Sequence, residues 1–274
     1  MLWQTIITLA VFAGQVVARG GKPRPFSYFT NNTIYQPVGK ESVTYPRYVE
    51  LEDGTILATT SLTGHTPGYF PVFESKDGGA SWKHVSNLTD QVNGWGMSAQ
   101  PALAELKTRM GPYKAGTILG TGNSWSNNGT KIDLYASTDR ARTWKFVSHI
   151  AQGGRPNTTN GATPIWEPYL LQYKGTLAAY YSDQRDPKHG QKLAHQESRD
   201  LKTWGPVIND VAYDQYIARP GMTVISYIPQ SKNGSSSTSS PSAIPPPTAS
   251  TTPSTTSSPT PRSPSGNPSA SPSS

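Results

Sequence analysis

The chain has no cysteine among its 274 residues, so no disulfide holds its fold and stability must come from core burial. Charged residues are sparse at 15%, and the net charge of +7 is scattered rather than gathered into a basic stripe. Such a distribution is a solvated surface, and no nucleic-acid partner is expected. Long helical periodicity is also missing between residues 19 and 230. His65, His84, His149, His189 and His195 show no ligand spacing, so neither a metal nor another cofactor is expected. No aspartate or glutamate follows Asp214. Any carboxylate chemistry must therefore come from earlier positions.

What the chain does have is aromatic and turn-forming residues. Aromatics make up 10%, with 25 glycines and 25 prolines, a mix that suits a turn-rich β protein. Residues 2–18 are mostly apolar and end on Val16, Val17 and Ala18. They read as a secretory signal peptide over 1–18, because Gln4, Thr5, Thr8 and Gln15 make a poor spanning helix. No membrane anchor is expected after its cleavage, and the protein is expected to be secreted. Sequons at Asn31, Asn87, Asn128, Asn157 and Asn233 are candidate N-glycosylation sites that fit this compartment. From residue 231 to 274 the sequence is almost all Ser, Thr, Pro, Gly and Ala, the composition of a disordered tail.

The middle of the chain repeats. Ser75, Asp77, Gly79 and Trp82 form a box that recurs as Ser137, Asp139 and Trp144, and in shorter form as Ser198, Asp200 and Trp204. The starting positions lie 62 and 61 residues apart, and a fixed period of that size marks a repeat architecture. Physically, the box is a tight turn with a buried tryptophan anchor, which gives it a structural role. Around each box lie short strand-like runs, including a hairpin about Asp53-Gly54 and another about Lys174-Gly175. Each unit is a small antiparallel meander, and radial repetition of such meanders makes a β-propeller. A β-sandwich would not explain one motif recurring at one pitch. Six units at this pitch need on the order of 370 residues, whereas residues 19–230 hold about 3.4 units. The expectation is an all-β, partial propeller of three to four blades over 19–230, with exposed blade edges.

The boxes resemble the Asp boxes of sialidase-like propellers, and the stretches between them resemble a narrower family. Gln91–Met97 (QVNGWGM), Ile132–Ser137 (IDLYAS), Thr163–Pro168 (TPIWEP), Tyr181–Asp186 (YSDQRD), His189–Lys192 (HGQK) and Arg219–Met222 (RPGM) are similar to segments of fungal exo-1,5-α-L-arabinanases, glycoside hydrolase family 93. The resemblance runs over about residues 25 to 222. It implies a six-bladed fold, secretion, arabinan or arabino-oligosaccharide as the partner, and hydrolysis with retention at the anomeric carbon.

Retaining hydrolysis uses two carboxyl groups roughly 5–5.5 Å apart, one protonating the leaving oxygen and one attacking the sugar. The resemblance places the acid/base on Glu167, which stands between Trp166 and Pro168. It places the nucleophile on a Glu shortly after the Arg-Pro-Gly-Met segment, where this chain continues Thr223-Val-Ile-Ser-Tyr-Ile-Pro-Gln230 without a carboxylate. The expected nucleophile is therefore absent and the enzyme impaired. Arg47, Arg219, Asp183, Arg185 and Asp186 are further candidates for substrate contact, although ion pairing also fits the last three. Trp95, Trp125 and Trp166 are candidate sugar platforms, with core packing as the other reading. Two alternatives remain open here. One is a carbohydrate-binding propeller fragment without turnover; the other is a sialidase-like hydrolase, which would need three arginines where only Arg47 can be assigned.

Overall fold

The structure is a computed structural model that describes residues 32–225. The readings on residues 1–18, on 231–274, and on Asn31 and Asn233 lie outside the described residues. Within them there are twelve strands and no helix. The strands are β1 (Ser42–Glu50), β2 (Ile56–Thr63), β3 (Tyr69–Ser75), β4 (Lys83–Thr89), β5 (Ala99–Glu105) and β6 (Ile118–Ser126). They continue as β7 (Gly129–Ser137), β8 (Lys145–Gly153), β9 (Ile165–Tyr173), β10 (Thr176–Asp183), β11 (Lys192–Ser198) and β12 (Ile208–Val211).

These strands form three four-stranded antiparallel sheets, each in sequence order: β1–β4, β5–β8 and β9–β12. Strand β5 packs against β1 and β2, and β9 packs against β5 and β6, so the first strands of the three sheets stand side by side as inner strands. This is a partial propeller of three blades, the lower end of the expected three to four.

Two cores fill the spaces between blades. Between the first and second sheets, Phe70 and Leu88 meet Ile118, Tyr135 and Trp144. Between the second and third, Leu134 and Ile150 meet Leu170, Leu177 and Tyr181. Packing on both faces explains why β2, β3, β6 and β10 are buried almost throughout rather than alternating between buried and exposed. The inner strand β1 is different: Tyr48 is 72% exposed, because its outer face carries no neighbouring sheet among the described residues.

Each box sits at the turn after the third strand of its sheet and is closed by its own hydroxyls. In the first, Ser75 Oγ donates to Asp77 Oδ1 at 2.8 Å, and Ser81 donates from both N and Oγ to the same carboxylate. Asp139 receives Ser137 Oγ, Thr143 N and Thr143 Oγ1 in the same way. The shorter third box keeps Ser198 Oγ to Asp200 at 3.1 Å and Thr203 N to Asp200 at 2.7 Å. The tryptophans do more than anchor the turn. Trp144 Nε1 donates to Ser86 Oγ and Trp204 Nε1 to Ser148 Oγ, both at 3.0 Å, so the second and third boxes are latched to the outer strand of the preceding sheet, whereas Trp82 Nε1 donates to the Gly79 carbonyl within its own turn. Ser86 and Ser148 follow their own box tryptophans by four residues, and the third unit has Ile208 there instead.

Two strands escape the sequence reading. Strand β5 (AQPALAE) is rich in alanine, with little intrinsic strand preference, and becomes a strand because sheets flank it on both sides. Strand β12 is short and mostly exposed.

Candidate active site

The inner strands meet at a cleft of about 540 Å³ lined by Tyr45, Gln100, Trp125, Trp166, Glu167 and Arg219 among others. Glu167 is the one carboxylate among its described lining residues. It is placed by an irregularity in β9. Between the pairs Trp166↔Ser182 and Tyr169↔Tyr180 the strand carries one residue more than β10, and Glu167 takes a left-handed backbone with φ of 60°. Bulges of this kind re-aim side chains.

The surroundings of Glu167 hold it from both ends. Its backbone N donates to Gln100 Oε1 at 3.2 Å and to Asn123 Oδ1 at 3.1 Å, both on the neighbouring sheet. Its Oε2 receives Ser182 Oγ at 2.9 Å and the backbone N of Met222 at 2.5 Å. Oε1 has no partner among the described residues and is the oxygen left for a ligand. Gly221 makes this approach possible, since a Cβ there would stand 2.9 Å from Glu167 Oε2. A fixed carboxyl with one occupied and one available oxygen is the arrangement needed to give up and retrieve a proton at one position.

Arg219 brings the positive charge. Its guanidinium donates to Asn160 Oδ1, Gln184 Oε1 and Gln191 Oε1 at 2.7–2.8 Å and to the Gly190 carbonyl at 3.2 Å. All four acceptors are neutral, so its charge is not cancelled locally. Gln184 Oε1 also receives Trp166 Nε1 at 2.7 Å, which ties the arginine to the aromatic wall. In that wall Trp125 and Trp166 meet edge to face, with ring centroids 5.5 Å apart. Trp166 is 8% exposed, whereas Trp125 is only half-buried and presents surface to the cleft.

The remaining candidates lie elsewhere. Arg47 is on β1 but lines two other hollows, the larger about 600 Å³ over the outer face of β1, with no carboxylate in its lining. Trp95 packs under Lys131, whose Nζ stands 5.1 Å from the ring centroid. Asp183 and Arg185 are joined through two hydrogen bonds of 2.8 Å, and Arg185 also reaches the Gln152 carbonyl and Tyr181 Oη. Burial works against the Arg185 charge, but Asp183 more than compensates and its pKa rises; burial pushes the Tyr181 hydroxyl up to about 12. This pair joins the third sheet to the second. Asp186 is paired with Lys192 at 2.9 Å. None of these five candidates lines the cleft with Glu167.

The supporting groups Gln100, Asn123, Ser182 and the Met222 amide were not legible as site residues. A signal existed for the first. Tyr45-Pro46, Gln100-Pro101, Glu167-Pro168 and Arg219-Pro220 each put a cleft residue directly before a proline, a second repeat interleaved with the boxes.

Blades of four strands around a cleft with a held carboxyl, an arginine and an aromatic wall define a partial β-propeller with its candidate site at the inner strands. The likeness to solved structures narrows this. The α-L-arabinofuranosidase of Fusarium graminearum, of family GH93 and in complex with arabinobiose, matches at 45% identity and a TM-score of 0.70, over 72% of this chain and 57% of that one. A Penicillium chrysogenum α-L-arabinanase complexed with arabinobiose matches at 46% identity and a TM-score of 0.69, over 72% of this chain and 58% of that one. The Fusarium enzyme with an iminosugar inhibitor matches at 47% identity and a TM-score of 0.65, over 67% of this chain and 52% of that one. No family model matches the sequence, and no curated protein does. Over its described strands the chain is similar to fungal family 93 glycoside hydrolases. It spans little more than half the length of the solved structures it matches.

Proposed function

We propose that this chain is a secreted glycoside hydrolase directed at arabinan, in which Glu167 protonates the leaving oxygen of a terminal arabinose unit. The observation that carries the reading is the state of Glu167, a cleft residue: Oε2 is fixed by Ser182 and Met222 while Oε1 has no partner among the described residues. The arabinobiose held by the Fusarium and Penicillium proteins supports the choice of sugar. Exposure of Asn87, Asn128 and Asn157 is in keeping with a glycosylated, extracellular surface. Arg219 is the one arginine among the described lining residues of the cleft, which disfavours the sialidase reading.

Retention needs a second carboxyl across the bond, and Glu167 stands alone among the described lining residues. Turnover by the purified chain is therefore slow relative to binding. The same observation supports a second reading, sugar binding without hydrolysis. Arabinose release from linear 1,5-arabinan separates them. Slow release that Glu167→Gln lowers by about 100-fold or more, with arabinobiose still bound, is the expected outcome. Binding without any release favours the second reading, and release unaffected by Glu167→Gln removes the first.

A further inference from the structure

We propose that Tyr45 and Gln100 are specificity-determining sugar contacts, presented to the cleft by the same backbone device that presents Glu167. The inference rests on the reading of this cleft as an arabinan site.

The device recurs in all three inner strands. On β1, the pairs Thr44↔Ser61 and Arg47↔Thr59 leave one extra residue on the inner strand. On β5 the pairs Ala99↔Asn123 and Ala102↔Thr121 leave the same single excess, as Trp166↔Ser182 and Tyr169↔Tyr180 do on β9. Within each bulge the first residue has positive φ: 51° at Tyr45, 60° at Gln100 and 60° at Glu167. Each is followed by proline.

A left-handed conformation is uncommon for a residue with a Cβ. It persists only where the surrounding structure enforces it, and it clusters where a side chain must be aimed. One such residue would be a local accident. Three at one register position, all lining one cleft, are a presentation system. Proline suits it, having no N–H to lose where the ladder is already broken.

The side chains so placed have unused hydrogen-bonding groups. Gln100 Oε1 accepts the Glu167 backbone N at 3.2 Å, which fixes the amide and leaves Nε2 without a partner among the described residues. The Tyr45 hydroxyl likewise has none, nor has Nε1 of Trp125, which lines the same cleft. A donor amide, a hydroxyl that both donates and accepts, and an indole N–H suit the clustered hydroxyls of a furanose. Trp125 supplies the apolar face that such a ring stacks on.

The test is calorimetric titration of arabinobiose into the full chain and three variants. Tyr45→Phe removes one hydroxyl, and Gln100→Glu keeps the oxygen that receives Glu167 N while removing the amide donor. Each is expected to weaken binding about 5- to 10-fold without lowering the melting temperature. Tyr48→Phe, on the same strand but outside the cleft, is expected to bind like the parent. Parent-like affinity in both cleft variants overturns the inference and leaves the arabinan reading standing. Failure of the parent chain to bind arabinobiose overturns both.

Discussion

At the scale of single residues, the same side-chain type does two jobs according to its setting. The carboxylates of Asp77 and Asp200 are saturated with donors, Ser81 and Ser75 for the first, Thr203 and Lys202 amides for the second, and both are held down at about 2. Asp139 is also lowered to about 2, its Thr143 and Ser137 hydrogen bonds outweighing an opposing burial effect. Glu167 instead keeps one oxygen free. The lowered box carboxylates have a consequence for acid stability. They bind protons less readily folded than unfolded, so their contribution is complete above the ordinary aspartate value near 4 and is lost as pH falls toward 2. Asp139→Asn should therefore melt below the parent at pH 5, with the gap closing as the pH approaches 2. A gap that stays constant across thermal melts in that range would show that charge at the box is irrelevant.

At the scale of strands and turns, the boxes and hairpins were legible because their signals are local. Asp53-Gly54 and Lys174-Gly175 turn where their chemistry says they should. Strand β5 was not, because its alanines become a strand only through neighbours on both sides. The site was half legible. Glu167 and Arg219 stand out by residue type and motif, but Gln100 and Tyr45 enter the cleft through a bulge, and no residue type announces a bulge. Prolines at 46, 101 and 168 mark it only after the sheets are aligned. The cores carry a similar hidden demand. Gly122 on β6 lies against Phe70 of the first sheet, and a Cβ there would collide with the ring edge at Phe70 Cε2. Gly122→Ala is expected to destabilise the chain by about 1–3 kcal/mol through overpacking, read from urea unfolding. An unchanged midpoint would mean that the first two sheets are not packed at this point.

At the scale of the whole molecule, the three sheets are coupled through two cores and two tryptophan latches. The second sheet contributes to both cores, so no blade loses its packing without disturbing it. Unfolding should therefore be one transition, with tryptophan fluorescence and far-ultraviolet circular dichroism coinciding in urea. Two separated transitions would show that the blades are stable independently. The cleft depends on the same coupling, since Glu167 on the third sheet is held by Gln100 and Asn123 on the second and shares its opening with Tyr45 on the first. That cleft is the central claim, and the indole N–H signals of the seven tryptophans test it most directly. In a titration of nitrogen-15-labelled chain with arabinobiose, the Trp125 indole resonance should shift progressively, because Trp125 lines the cleft. The box resonances of Trp82, Trp144 and Trp204 should stay in place. Shifts confined to the box tryptophans, or no shift at Trp125 at saturating sugar, would contradict the assignment of this cleft as the sugar site.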